Sequence, residues 1–403
     1  MIPFAPPYID DEVINEVVDS LRSGWITTGP KVKALEEKIV EYTGCPRALC
    51  VNSASSALIF MLNWYGIKKG DEVIVPAFTY CSTALAVLHL GAIPVMVDIG
   101  EDFNINAAKI KSAITEKTKA IIPVDIAGFP CDYDEIYEIV TSVDIRSKFN
   151  PSNDIQKKLN RIFILADSAH SFGAKYKDLN AGNIADVTIF SFHAVKNLTT
   201  SEGGAICLNL PSPFVNDELY TELRPLTLNG QTKDAFTKTV GNSWRYDVER
   251  LGVKINMPDV CAAIGLAQFG KYDEILKRRR EIFDFYTNAF SDYEWIQTPP
   301  YISEIKKSSC HVFLLRLPDI SEEFRDKLIE EIYKCEVSVN VHFVPLPMLT
   351  LFKNLGYNID NYPNSYKNYI TEISLPIYPQ LTNVQIKKII DTFIKAYNKV
   401  IKK

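Results

Sequence analysis

Lys196 lies in VTIFSFHAVKNLTTSEGGAICLN, residues 187–209, between two apolar runs that read as strands. A lysine in such a place either carries its ammonium out to water along its own methylene stem or stays in the interior. Burial disfavours the charged form and lowers an amine pKa that is ordinarily ~10.4. A neutral amine is what Schiff-base formation with an aldehyde requires. Gly203 and Gly204, just downstream, suggest a close approach of backbone at this point.

Three other segments carry groups that could serve such an amine. In RIFILADSAHSFGA, residues 161–174, five apolar residues lead into Asp167. The carboxyl end of a central strand is where open α/β sheets bind ligands. Asp167 there is either a loop or cap residue, or the partner that keeps a pyridine nitrogen protonated so that the ring accepts electrons. His170 could hydrogen-bond Asp167 or a ring hydroxyl, or be an ordinary satisfied histidine. In RALCVNSASSALIFML, residues 47–62, a short strand runs into Asn52-Ser53-Ala54-Ser55-Ser56 and then a helical pattern. Small hydroxyl residues there cap the helix, and with its exposed amides they can also hold a phosphate. Ser191 could add a hydroxyl from the strand before the lysine. In PAFTYCSTALAV, residues 76–87, Tyr80 is either a rim residue or a platform for a flat ring.

These residues need a scaffold, and the sequence offers an α/β one. Apolar runs at 48–51, 72–75, 95–97, 120–123, 162–166, 187–191 and 205–208 alternate with helical patterns at 56–65, 82–90 and 133–140. Such alternation predicts a mostly parallel sheet. The polar stretch 144–160, interrupted by Pro151, reads as a surface insertion. Beyond residue 209 the pattern becomes long helices over 259–290, a strand at 311–317, a helix at 322–334, a strand at 337–343 and a closing helix at 383–400. The expected organisation is a large α/β domain over 1–255 and a smaller α+β domain over 256–403.

Taken together and in order, these segments resemble the sugar aminotransferases of the DegT/DnrJ/StrS family, pyridoxal-phosphate (PLP) enzymes of fold type I. The resemblance covers nearly the whole chain: SGWITTGPKVKALEEKIVEYTG, VNSASSAL, PVDIAGFPCDYDEI, ADSAHSFGA, FSFHAVKNLTTSEGGA, MPDVCAAIGLAQF and VHFVPLP…SLPIYPQLTNVQI follow in the family's order. It implies that Lys196 holds the cofactor and shuttles protons, and that Asp167 pairs with the pyridine nitrogen. It further implies that Tyr80 stacks on the ring with His170 beside it, and that Ala54, Ser55 and Ser191 bind the phosphate. It also implies a homodimer with shared sites, in which residues 251–257 reach across. Asn256 would then contact the phosphate in trans, and Thr28, Lys254 and His342 would lie toward a nucleotide-linked keto sugar. Val253 and Ile255 replace aromatics usual on either side of the lysine, and Pro347 stands where many relatives have histidine.

Composition bounds the alternatives. The 403 residues carry a net charge of −5, which argues against nucleic acid as a main partner. Eight cysteines without a CxxC pair read as free thiols in a reducing compartment. The start MIPFAPPYIDDEV lacks the features of a signal peptide, and no apolar stretch reaches the ~18 residues of a membrane span, so a cytoplasmic protein is expected. No metal site is expected. A sugar dehydratase of the same family would have histidine in place of Lys196, and a nicotinamide oxidoreductase would show GxGxxG after a strand. A transcription regulator built on the same body would need a DNA-binding domain for which the motif-bearing region leaves no room.

Overall fold

The computed structural model describes residues 1–232 and 245–402. After helices α1 (Asp11–Ser23) and α2 (Pro30–Thr43), the chain builds its principal sheet from β1 (Arg47–Val51), β2 (Glu72–Pro76), β3 (Ile93–Val97), β4 (Thr118–Ile121), β5 (Phe163–Asp167), β6 (Val187–Ser191) and β7 (Gly204–Leu208). Among the described residues these seven strands lie in the order β1-β7-β6-β5-β4-β2-β3. All neighbours are parallel except those of β7, which runs against both β1 and β6. This is the mostly parallel α/β sheet expected.

The sequence explains the layering. Strand β5 is buried at every position, as a strand covered on both faces must be, and it therefore reads as a continuous apolar run. Helix α3 (Ala54–Trp64) buries Ala57, Leu58, Phe60, Met61, Leu62 and Trp64 and packs against β5, β6 and β7. Burial of each large apolar side chain contributes about 1.5–3 kcal/mol. Helix α4 (Ser82–His89) follows β2 in the same way.

A second hydrophobic core gathers helices Tyr272–Phe290, Glu322–Tyr333 and Asn383–Ile401 around two antiparallel strands, β8 (Phe313–Arg316) and β9 (Glu372–Leu375). Ile2 packs into this core and bridges Val337.

Two local expectations change. Residues 144–160 are no bare surface insertion: helices Val143–Lys148 and Asp154–Leu159 bury Ile145, Gln156 and Leu159, and Phe149 after the first of them is buried too. Asn153 and Gln156 both donate to the Tyr65 carbonyl at the end of α3, at 3.0 and 3.1 Å. Their polarity serves a buried helix end, which a reading by hydropathy misses. Residues 337–343 form no strand either. Their alternation is real, but the backbone makes isolated bridges from Val337 to Ile2 and from Asn340 to Ser374 and otherwise bonds to side chains, as the His342 N–H does to Glu372, and the place beside β8 is taken by β9. All eight cysteines are free.

Candidate active site

The register of the sheet brings the chemical groups to one edge. Val51, Gly204 and Ser191 stand level across β1, β7 and β6, and Asp167 ends β5 opposite Ile189. Above this edge lies a cavity of about 530 Å³, open to solvent. Ala54, Ser55, Tyr80, Asp167, His170, Ser191, Lys196 and His342 all line it.

Asp167 is buried, which pushes its carboxyl above the usual carboxylate range. Its Oδ2 accepts from the Thr83 hydroxyl at 2.8 Å and its Oδ1 from the Ala169 N–H at 3.3 Å, and these donors favour the ionised form. The Thr83 hydroxyl is itself 3.1 Å from that of Thr79. Lys196 sits in the turn after β6, its N–H donating to the His193 carbonyl at 2.9 Å. Burial brings its amine down to about 8, with Asp167 acting in the opposite sense. The pair thus puts an amine that gives up its proton more readily than usual and a hydrogen-bonded carboxyl group into one cavity.

At the other end, Ser53 caps α3 by accepting from the Ser56 N–H at 3.1 Å, and the Ser82 hydroxyl donates to Ser55 at 2.6 Å. Gly204 passes so close that a Cβ there would meet the Ala54 nitrogen at 2.8 Å and the Phe190 carbonyl at 2.6 Å. Only a residue without a side chain lets β7 reach the start of α3. The result is an anion cradle of hydroxyls and helix-start amides.

Two histidines form one wall, with ring centroids 4.5 Å apart. His170 Nδ1 accepts from the Ala127 N–H at 3.2 Å, so the proton of the neutral ring is on Nε2. The Asn197 amide nitrogen donates to the Ser309 carbonyl at 2.8 Å, so its Oδ1 must accept from His311 Nδ1, 2.9 Å away. Burial and the nearby lysine hold both rings well below their usual pKa. Tyr80 is 60 % exposed, its ring 6.0 Å from that of Phe343 across the mouth.

Thr28, Lys254 and Asn256 do not line this cavity within the chain. They form a cluster of their own: Asn256 donates to Thr28, Lys254 donates to Asn256, and Thr28 donates to the Met257 carbonyl at 2.6 Å. A bridge from Asn256 to Val51 ties the cluster to the backbone behind the anion cradle.

Sequence reasoning missed Thr83, Ser82 and His311. Thr83 and Ser82 fall in the segment that yielded Tyr80, and only the fold sets Thr83 against a carboxylate 84 residues away. His311 reads in the sequence as the first residue of a strand; its tie to Asn197 spans 114 residues and leaves no local signal.

The chain matches the model of the DegT/DnrJ/EryC1/StrS aminotransferase family over residues 7–394. It belongs to that family. The enzyme is 34 % identical over 395 residues to the spore coat polysaccharide biosynthesis protein SpsC of Bacillus subtilis, covering 97 % of this chain and 95 % of that one. It is 33 % identical, over 96 % of each chain, to the UDP-4-amino-4-deoxy-L-arabinose–oxoglutarate aminotransferase of Shewanella sediminis. Among solved structures it is similar to Spr1654 of Streptococcus pneumoniae, described as a sugar aminotransferase. The PMP form of that protein matches with a TM-score of 0.95 and 45 % identity, covering 99 % of this chain and 100 % of that one. Its PLP form matches with a TM-score of 0.94. The fold is therefore that of the PLP-dependent sugar aminotransferases, and the enzyme is one of them.

The cavity suits that cofactor. A buried carboxyl group, an amine of lowered pKa and a cradle of hydroxyls at a helix start match a ring nitrogen, an aldehyde and a phosphate. Among the described residues no helix is long and apolar enough to cross a membrane.

Proposed function

We propose that this enzyme moves the amino group of L-glutamate to a nucleotide-linked keto sugar, of the 4-keto-6-deoxyhexose class, for a surface polysaccharide or glycan. The observation that carries this reading is the joining of Lys196 and Asp167 in one cavity of a sugar aminotransferase fold. The Shewanella relative, whose name pairs a UDP-linked sugar with oxoglutarate, supports the choice of substrates. So does PseC of Helicobacter pylori, an aminotransferase of pseudaminic acid biosynthesis, 26 % identical with a TM-score of 0.86.

Bound in the cavity, pyridoxal phosphate supplies the aldehyde that condenses with amines and a ring that takes up an electron pair. Lys196 is the amine that holds it. Once freed by the incoming donor, Lys196 takes the proton from the donor's α-carbon and, in the return half, delivers one to the sugar carbon that was the ketone. Its pKa of about 8 suits a group that must do both. Asp167, ionised with the help of Thr83, keeps a proton on the ring nitrogen. Ala54, Ser55 and Ser191 hold the phosphate, Tyr80 covers the ring, and His170 lies beside it.

The working form is a homodimer in which Asn256 of each chain completes the partner's phosphate site, with Lys254, Thr28 and His342 toward the sugar nucleotide. This accounts for the placement of residues 254–256 behind the cradle rather than in the cavity of their own chain. A dehydratase of the same family remains disfavoured because Lys196 occupies the position that histidine takes there.

The test is a panel of 4-keto and 3-keto sugars linked to UDP, dTDP or GDP, each incubated with L-glutamate and the loaded enzyme. Amino sugar and 2-oxoglutarate should form in equal amounts with at least one 4-keto sugar. Consumption of a keto sugar with loss of water and no 2-oxoglutarate would overturn the reading.

A further inference from the structure

In the cavity that Lys196 lines, residues 340–342 run antiparallel to strand β9. Asn340 and Ser374 exchange backbone hydrogen bonds of 3.1 and 2.8 Å, and this register sets His342 against Glu372. The His342 N–H donates to Glu372 Oε2 at 3.0 Å. The Ser374 hydroxyl donates to Glu372 Oε1, and His342 Nδ1 lies 2.8 Å from that same hydroxyl oxygen. Glu372 and Ser374 are each 0 % exposed, while His342 lines the cavity. A buried carboxylate is thus linked to a pocket-facing imidazole through one hydroxyl that has a single proton to give.

We propose that Glu372, acting through Ser374, decides which ring nitrogen of His342 carries the proton, and so whether His342 meets the sugar as an acceptor or as a donor. The part concerning the sugar rests on the proposed function.

The arrangement has two self-consistent states. With Glu372 ionised, both its oxygens accept, Ser374 spends its proton on Oε1, and its oxygen accepts from Nδ1–H. His342 then offers a bare Nε2 to the pocket. With Glu372 protonated, Oε2 still accepts from the backbone, Oε1–H donates to Ser374, and Ser374 donates to Nδ1. His342 then offers Nε2–H. One proton converts the first state to the second: it enters at Nε2, the Nδ1 proton passes to Ser374, and the Ser374 proton passes to Glu372. The ring is neutral before and after. Glu372 and Ser374 are therefore positioning residues for His342.

The surroundings suit both states. Burial pushes Glu372 up to about 8, against the pull of Arg325 on the helix Glu322–Tyr333. Arg316 stands across from Glu372 on β8, but its guanidinium is engaged by Glu101 and Asn368. Burial and Lys196 bring His342 down to about 4, so its cation is scarce at neutral pH. His170 and His311, which also line the cavity, are likewise held below their usual range by burial.

The sequence has five histidines, so ¹⁵N-histidine labelling of the loaded enzyme gives a tractable set of imidazole signals, and His342→Gln identifies the pair from residue 342. Long-range ¹H–¹⁵N correlation should show Nδ1–H at mildly alkaline pH and exchange to Nε2–H toward neutral pH, with no imidazolium signature. In Glu372→Gln the carboxamide oxygen must face the His342 N–H, so its NH₂ faces Ser374 and the ring should be locked as Nε2–H at every pH. Ser374→Ala should abolish the pH dependence and Ser374→Thr should restore it. A wild-type ring with one tautomer throughout, or a Glu372→Gln ring that still exchanges, would overturn the proposal. The readout needs no substrate, so exchange in an enzyme that aminates no sugar nucleotide removes only the sugar as its recipient.

Discussion

Thr83→Val isolates the electrostatics of the cofactor site from its shape. Valine matches threonine in size but cannot donate, and the lost bond is the 2.8 Å contact to Asp167 Oδ2. A hydrogen bond to a charged group is worth about 1.5–3 kcal/mol. Burial already pushes the Asp167 carboxyl up, and loss of this donor, which pulls it down, should raise it further. A carboxyl that takes a proton more readily leaves the ring nitrogen less protonated. Cofactor affinity and turnover should therefore each fall about ten- to a hundredfold. Stability of the cofactor-free protein should fall by less, about 1 kcal/mol, because Asp167 can then be neutral and needs the donor less. Absorbance titration with pyridoxal phosphate, turnover and thermal melting separate these effects, and Thr83→Ser should behave nearly as wild type. Wild-type affinity and turnover in Thr83→Val, or an equal loss in Thr83→Ser, would refute the reasoning.

Other outcomes follow from the same geometry. Asp167→Asn should still bind some cofactor but lose turnover by several factors of ten, each costing ~1.4 kcal/mol of barrier; near wild-type kcat would remove Asp167 from its assigned role. The rate at which cofactor-free enzyme condenses with pyridoxal phosphate should rise with pH and level off above about 8, because burial lowers the Lys196 amine and its reactive form is the deprotonated one. A rate already level well below that pH would place the condensing amine elsewhere. Mixing inactive Lys196→Ala chains with inactive Asn256→Asp chains should restore roughly a quarter of wild-type activity, since about half of randomly mixed dimers are hybrids with one intact site. Complete subunit exchange without recovery would put Asn256 in its own chain's site or in none.

Much of this site is legible in the sequence because its parts are local. The apolar runs ending in Asp167 and Ser191 are strands buried on both faces, and such strands announce both themselves and the residue at their exit. Ser53–Ser56 announces a helix start by its hydroxyls, and Lys196 stands out as a cation between two core strands. What stayed hidden depends on pairing across long separations. Thr83 matters through Asp167, and His311 through Asn197. The clearest miss is Val337–Phe343, whose alternation mimics a strand although Glu372, a side chain, takes the His342 N–H that a neighbouring strand would have bonded. Hydropathy records which residues turn inward, not which group satisfies the backbone. The same limit explains residues 144–160, where polar Asn153 and Gln156 serve the buried carbonyl of Tyr65.

The most direct test of the central claim is reduction of the loaded enzyme with borohydride, followed by digestion and mass spectrometry. The peptide containing Lys196 should carry a phosphopyridoxyl mass, and Lys196→Ala and Lys196→Arg should show no lasting adduct and no turnover. A stable adduct on another lysine of the wild-type enzyme, or its persistence in Lys196→Ala, would contradict it.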